Sequence, residues 1–400
     1  MDILTKQEIK TQYEIVWDRI KTYHIKRFPG HPDPLFLISN AYPGVWLEHV
    51  YDAFVWATLD PSTAYVVKGQ VKLFLDNQKS DGQFPCFVLD SSNPSAKSYG
   101  KLIGFGQIQE CVSFTALCLE AFLLLDDRQL LLEAYEKCVK WDKWLVDNRT
   151  VTNRGLIELF CQFDTGHDNS ARLADIPGGC PDGDAKNMNL IDGLPLLAPD
   201  MNSVFYGSRV ALSEMAKLLG KKQESMEWRK KADKIRERLI EVCYDPKDEF
   251  FYDVNCYGEF RRFRSIAIVN LFQEHVLEAD MADNIYNRYM KNPNEFWTKY
   301  PFPSMSISDP ASRQDRAGNS WGFYSQGLTA LRALRWMDFY GKSNDLETLM
   351  EAWVSAFVRS DNMKFSQELH PITGQLSQSS QWYSSSMLFF LKAAKRLNYI

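Results

Sequence analysis

The sequence predicts an all-α protein, an (α/α)6 toroid in which inner and outer helices alternate along the chain. Three observations carry that expectation. Apolar residues recur with a helical period from end to end, and few runs read as strands. Some helical segments are apolar over most of their circumference while others show only a narrow apolar stripe, as inner and outer helices would. No Pro-, Gly- or Ser-rich stretch long enough to be a linker interrupts the series, so residues 1–400 read as a single domain.

Taken in order, the periodic segments are 5–27, 49–59, 62–78, 108–126, 129–148, 202–220, 224–243, 263–274, 278–291, 322–340, 344–358 and 382–397. "ECVSFTALCLEAFLLL" and "SSSMLFFLKAAKRL" are apolar nearly all round and predict inner helices. "KKQESMEWRKKADKIRERLIEV" has a wide charged face and predicts an outer one. The connections are unequal. Links at 127–128 and 341–343 are very short, whereas 79–107, 161–200 and 292–320 are long and hold most of the Gly, Pro, Asp and Asn. Their aromatic content ("FPCFVL", "FWTKYPFPSMSI") argues against disorder, so these three loops are expected to gather at one end and wall a cleft.

Composition narrows the functional classes. A net charge of -5 supplies no basic field for nucleic acid or an anionic membrane, and no segment approaches the length of a membrane-spanning helix. The charged start "MDILTKQEIK" lacks the apolar core of a secretory signal, and eight cysteines without a CxxC pair read as reduced structural thiols, Cys111 and Cys118 on one buried helical face. A cytoplasmic location is expected. Aromatic residues make up 14% of the chain, with 11 Trp and 18 Tyr, which suits both core packing and platforms for sugar rings.

Candidate chemistry concentrates in "CQFDTGHDNSARL", residues 161–173, where Asp164, His167, Asp168 and Arg172 crowd behind an apolar run. Asp168 has two readings, a helix cap or a proton donor at the cleft. A second acidic loop, "QELHPITGQLSQSSQW", places Glu368 beside His370 and Trp382 ahead of the last apolar segment. Two carboxyl groups flanking a glycosidic bond are what glycoside hydrolysis requires. Trp46, His49, Tyr51 and Asp52 open a predicted helix, as sugar contacts or as part of its first turn. Asn202 is either a cap or a substrate contact, Gln107 and Glu110 face either cavity or neighbouring helix, and Trp321 and Tyr324 are either core or stacking aromatics. The histidines have no metal-binding spacing, and Gly178, Gly179 and Gly183 mark turns rather than a phosphate loop. No metal or cofactor is expected.

Here the sequence resembles a known family. "FDTGHDNSARL" is similar to the aromatic-D-x-G-x-D-x-S-x-R segment of clan G glycosidases, that is, the family 63 enzymes, mannosylglycerate-hydrolase-like proteins among them, and the related family 37 trehalases. "GVWLEHVYDAFVWA", "DGQFP", "APDMNSVFYGSRVALSEMAKLLGK", "YPFPSMSISDP", "NSWGFYSQGLTALRALRWMDFYGK" and "ELHPITGQLSQSSQWYSSSMLFFL" resemble further segments in the family's order, over about 40–398. The resemblance implies an inverting hydrolase of a small α-glucoside or α-mannoside, with Asp168 as general acid, Glu368 as general base, and an Asp of the 46–52 segment against the terminal sugar, and the closed bottom of a toroid favours an exo-acting pocket. Glu110 and Glu48 stand as alternative bases. Inversion requires the two carboxyl groups to face each other about 6.5–9.5 Å apart. Two further readings share the toroid: a sugar 2-epimerase or isomerase using His49, His167 or His370, and a non-catalytic carbohydrate-binding protein.

Overall fold

The computed structural model describes residues 6–39, 41–189, 191–312, 319, 321–360 and 364–400. Among these residues twelve α-helices follow one another: α1 (Lys6–Arg19), α2 (Val50–Leu59), α3 (Tyr65–Asp76), α4 (Phe114–Leu125), α5 (Arg128–Asn148), α6 (Pro199–Leu218), α7 (Lys222–Cys243), α8 (Val269–Gln273), α9 (Ala279–Ile285), α10 (Gly327–Arg332), α11 (Ser343–Val358) and α12 (Ser384–Arg396). The even-numbered helices form the inner layer. α2 packs on α4 and α12, α4 on α6, α6 on α8, and α10 on α12. The odd-numbered helices lie outside, α7 against α6 and α11 against α12.

Burial follows the predicted split. α12 buries every residue from Ser384 to Leu391, whereas α7 buries only Trp228, Ala232, Ile235, Leu239 and Cys243, one stripe at helical spacing. Short links are fixed by capping. Asp126 ends α4 in the left-handed conformation, and the Asp127 carboxylate accepts the Leu130 amide to start α5, so two residues suffice to turn the chain.

Several segments are shorter than their periodicity predicts. α1 stops at Arg19 and a wide turn follows, because the backbone of Ile25–Lys26 pairs with Leu35–Phe36. α4 starts only at Phe114, since Gln109 adopts a positive φ and Ser113 caps the Ala116 amide. Cys111 therefore lies before the helix that carries Cys118, although both are buried, and all eight cysteines are free. α10 begins at Gly327, because Ser325–Gln326 is taken up in an antiparallel pair with Glu368–Leu369. Among the described residues no helix is long and apolar enough to cross a membrane.

Candidate active site

At the N-terminal ends of the inner helices lies a cavity of about 420 Å³. Its wall draws on all three long loops: Phe87, Tyr99 and Gln107 from the first, Phe163, Gly166 and Asp168 from the second, and Asn319 from the third, of which 313–318 and 320 lie outside the described residues. One wall is aromatic and is set by strand register. Gly44–Trp46 pairs with Phe87–Leu89 so that Trp46 lies opposite Phe87, their rings 5.3 Å apart, and Tyr42 and Tyr99 close edge-on against Trp46 at 5.1 and 5.7 Å. Gly104, paired with Phe87, has to be glycine, since a Cβ there would run into the Phe87 ring.

The facing wall carries Asp168. Its Oδ2 accepts a 2.6 Å hydrogen bond from Asn319 Nδ2, and Asn319 Oδ1 in turn accepts one of 2.7 Å from Gln367 Nε2. The Trp321 amide donates to the Asp168 carbonyl at 3.1 Å, and the Asn169 side chain donates to the Asn319 carbonyl at 2.9 Å, so the acidic loop and the 319–321 segment are tied together. Burial pushes the Asp168 carboxyl up to about 7, the negative charge of Glu48 adds to the rise, and the Asn319 bond opposes it. A group with that pKa holds its proton for much of the time at neutral pH. Glu48 lines the same cavity, and a Cβ on Gly166, which has a φ of +70°, would strike its carboxylate.

The match to known proteins decides the family at this point. Residues 42–386 fit the mannosylglycerate hydrolase MGH1-like glycoside hydrolase domain. The chain belongs to that family. Over 96% of this chain and 99% of the other, the fold matches a GH63 mannosylglycerate hydrolase from Thermus thermophilus in complex with Tris and D-glycerate, at TM-score 0.74 and 15% identity. The neutral trehalase Nth1 from Saccharomyces cerevisiae matches over 95% of this chain and 79% of its own, at TM-score 0.62 and 15% identity. An uncharacterized protein of Borreliella burgdorferi is 24% identical over 147 residues, and that match spans 36% of this chain and 30% of the relative. The (α/α)6 architecture read from the helical periodicity is that of these folds.

Within this MGH1-like glycoside hydrolase domain the residues singled out in the sequence divide. Trp46, Gln107, Asp168 and Trp321 line the cavity. His49 and Asp52 stand behind it. Asp52 is buried and accepts hydrogen bonds from Ser384 and Ser385, His49 Nδ1 lies 3.4 Å from Asp52, and His49 Nε2 pairs at 2.8 Å with the hydroxyl of Tyr383, which does face the cavity. Tyr51 points to the other end of the inner helices, with the Arg335 guanidinium 4.9 Å from its ring centre.

Four polar candidates hold the scaffold instead of meeting the cavity. Asp164 is completely buried beneath Arg149 Nη1 at 2.6 Å and also accepts the amides of Ile108, Phe160 and Cys161. Cys161, Asp164 and Cys180 are close enough together to share a cation, and that role falls to the Arg149 guanidinium, whose Nη2 lies 3.5 Å from Cys180 Sγ. Arg172 is clamped between Asp200 and Asp253. Asn202 holds both the amide and the carbonyl of Ile157 at 2.9 Å. Glu110 accepts the Trp141 indole N–H at 2.8 Å and is pushed up to about 8 by burial.

His167 is buried with its ring stacked on Trp321 at 4.2 Å, and burial together with Arg172 and Arg332 holds it well below its ordinary pKa. Tyr324 packs edge-on against His370, and Trp382 lies under the Arg19 guanidinium at 4.1 Å. None of the three histidines of the isomerase reading is among the described residues that line the cavity.

Glu368 is fully buried. Gln367, the residue just before the strand Glu368–Leu369, lines the cavity, whereas Glu368 is not among the described residues that line it. Its carboxylate accepts hydrogen bonds from Gln326 Nε2 at 2.7 Å and Ser379 Oγ at 3.3 Å. Residues that sequence reasoning did not select but the cavity includes are Tyr42, Phe87, Tyr99, Gln109, Phe163, Asn319, Gln367 and Tyr383, with Glu48 present only as an alternative base. For Phe87, Tyr99 and Phe163 the aromatic content of the long loops was the available signal.

Proposed function

We propose that this glycoside hydrolase acts on a small α-glucoside or α-mannoside from its end, with inversion, and that Asp168 is the general acid. One observation carries the reading: a carboxyl group raised to about 7 opens into an aromatic-walled cavity large enough for one or two sugar rings. With Asn319 donating to Oδ2, Oδ1 is left to carry the proton and to deliver it to the departing glycosidic oxygen. Trp46, Phe87 and Trp321 offer faces for the sugar, and Gln107, Gln367 and Glu48 offer hydrogen bonds to its hydroxyls.

Glu368 is the proposed base, activating water on the side of the sugar opposite Asp168. Two donors, Gln326 and Ser379, fix its carboxylate on the strand whose preceding residue reaches the cavity. The Thermus hydrolase of the same fold was crystallised with glucose and, separately, with Tris and D-glycerate, which supports a hexose joined to a small polar aglycone as the first substrate to try.

The test is a panel of α- and β-linked disaccharides and glucosyl and mannosyl glycosides of small acids, with the anomer of the fresh product read by NMR. The reading expects an α-linked substrate to release the β-sugar first. Release of the α-sugar, or a product that is an epimer or ketose of the substrate, overturns it.

A further inference from the structure

The inner helices enclose a second and larger cavity, about 780 Å³, at the end away from Asp168. It lies between α2, the C-terminal halves of α4 and α12, the 334–338 segment and Met350 of α11. From Tyr383, at the catalytic cavity, to Lys395 is about 18 Å along the α12 axis at 1.5 Å per residue, so the two spaces do not share a ligand.

The lining of the second cavity combines apolar side chains, among them Tyr51, Phe54, Val55 and Leu334, with charged ones. Four cations line it, Arg335, Lys392, Lys395 and Arg396, against two acids, Glu120 and Asp338. Both acids are already engaged by two-pronged arginine contacts. Arg335 holds Glu120 at 2.6 and 3.2 Å, and Arg396 holds Asp338 at 2.6 and 2.8 Å. Two ammonium groups remain. Lys392 reaches the Thr58 hydroxyl and Lys395 the Leu59 carbonyl, each at 3.4 Å, Lys395 also lies 5.6 Å from the Trp17 ring centre, and among the described residues neither has a carboxylate partner.

Cations in the last turn of a helix are favoured by its C-terminal carbonyls, which accounts for Lys395 and Arg396. Lys392 sits a turn earlier, where that explanation does not reach. Its ammonium is held below its ordinary range by burial and by the like charges of Lys395 and Arg396. A half-buried lysine beside two further cations is a cost to the fold that an anion would offset.

We propose that this cavity is a second ligand site, separate from the catalytic one, that takes a phosphate monoester carried on a ring-sized body. The phosphate would lie against Lys392 and Lys395, and the body against Tyr51, Phe54 and Val55. A doubly charged phosphate matches two spare ammonium groups, and the apolar side chains favour an ester over the free ion.

Phenyl phosphate is the probe, titrated into the intact protein by calorimetry, with inorganic phosphate as competitor. Saturable one-to-one binding is expected, with inorganic phosphate weaker. Loss of a charge-assisted hydrogen bond should weaken phenyl phosphate about tenfold or more in Lys392→Gln. The exposed Lys395→Gln should weaken it as well, which keeps the test open if the first variant folds poorly. Asp168→Asn should bind as the wild type does. Absence of saturable binding, wild-type affinity in both lysine variants, or loss of binding in Asp168→Asn would each overturn the proposal. The same phosphate chemistry occurs on lipid headgroups. Vesicles containing phosphatidic acid distinguish that source, and retention on vesicles with no binding of phenyl phosphate also counts against a site for a small soluble ester.

Discussion

Replacing Asp168 by Asn should make the protein less active and, above neutral pH, more stable. The carboxyl titrates at about 7 in the fold against an ordinary 3.8. Between those values the folded protein binds more protons than the unfolded chain, so Asp168 lowers stability as pH rises through the window, and the loss is complete above about pH 7. At about 1.4 kcal/mol per pKa unit the full difference, 7 less 3.8, is about 4 kcal/mol. Because the carboxyl opens partly to the cavity, about half of that, ~2 kcal/mol, is the realistic expectation. Asn is close to isosteric, and its carbonyl oxygen can accept the Asn319 amide just as the carboxylate does. Urea denaturation of both proteins at pH 4 and pH 8 measures the effect. The variant should match the wild type at pH 4 and exceed it by ~2 kcal/mol at pH 8. In the same variant, turnover of a substrate with a poor leaving group should fall by about 10²–10⁴, the usual worth of a general acid. A stability difference that does not depend on pH would refute the burial argument, and unchanged turnover would refute the assignment as acid.

Glu48→Gln removes a negative charge that helps to hold Asp168 protonated, so the alkaline limb of the pH–rate profile should move to lower pH. An unmoved limb would show that burial alone sets the acid. Glu368→Gln should abolish hydrolysis of natural substrates, with partial recovery by azide if the lost group only activates water, whereas wild-type rates in this variant would redirect attention to Glu48 or Glu110. Arg149→Met leaves Asp164 charged and unpaired in the core and should cost about 3–5 kcal/mol in urea denaturation. A loss under 1 kcal/mol would mean that the acidic loop does not depend on that ion pair. Exhaustive chelation should leave activity unchanged, and loss of activity restored by a divalent ion would contradict a metal-free mechanism.

The sequence by itself determined the helical architecture, because burial in a helix repeats every 3.6 residues and that repeat is a local property. The all-round apolar α12 and the striped α7 took the inner and outer places their patterns predicted. Loop lengths likewise pointed to the end where the cavity lies, and a motif pointed to Asp168. What the sequence could not separate were polar residues that face the cavity from polar residues that brace it. Asp164 and Asp168 stand four apart in one loop, yet Asp164 is claimed by Arg149 and Asp168 by Asn319. For Arg172 and Asn202 the sequence left open a structural and a substrate-binding role, and in the fold Arg172 pairs with Asp200 and Asp253 while Asn202 holds the backbone of Ile157. Tyr383 reached the cavity through His49 and Asp52, which the sequence had nominated in its place. In each case the deciding partner is far away along the chain. A buried polar group must find its hydrogen bonds somewhere, and which partner satisfies it is settled only when distant segments pack.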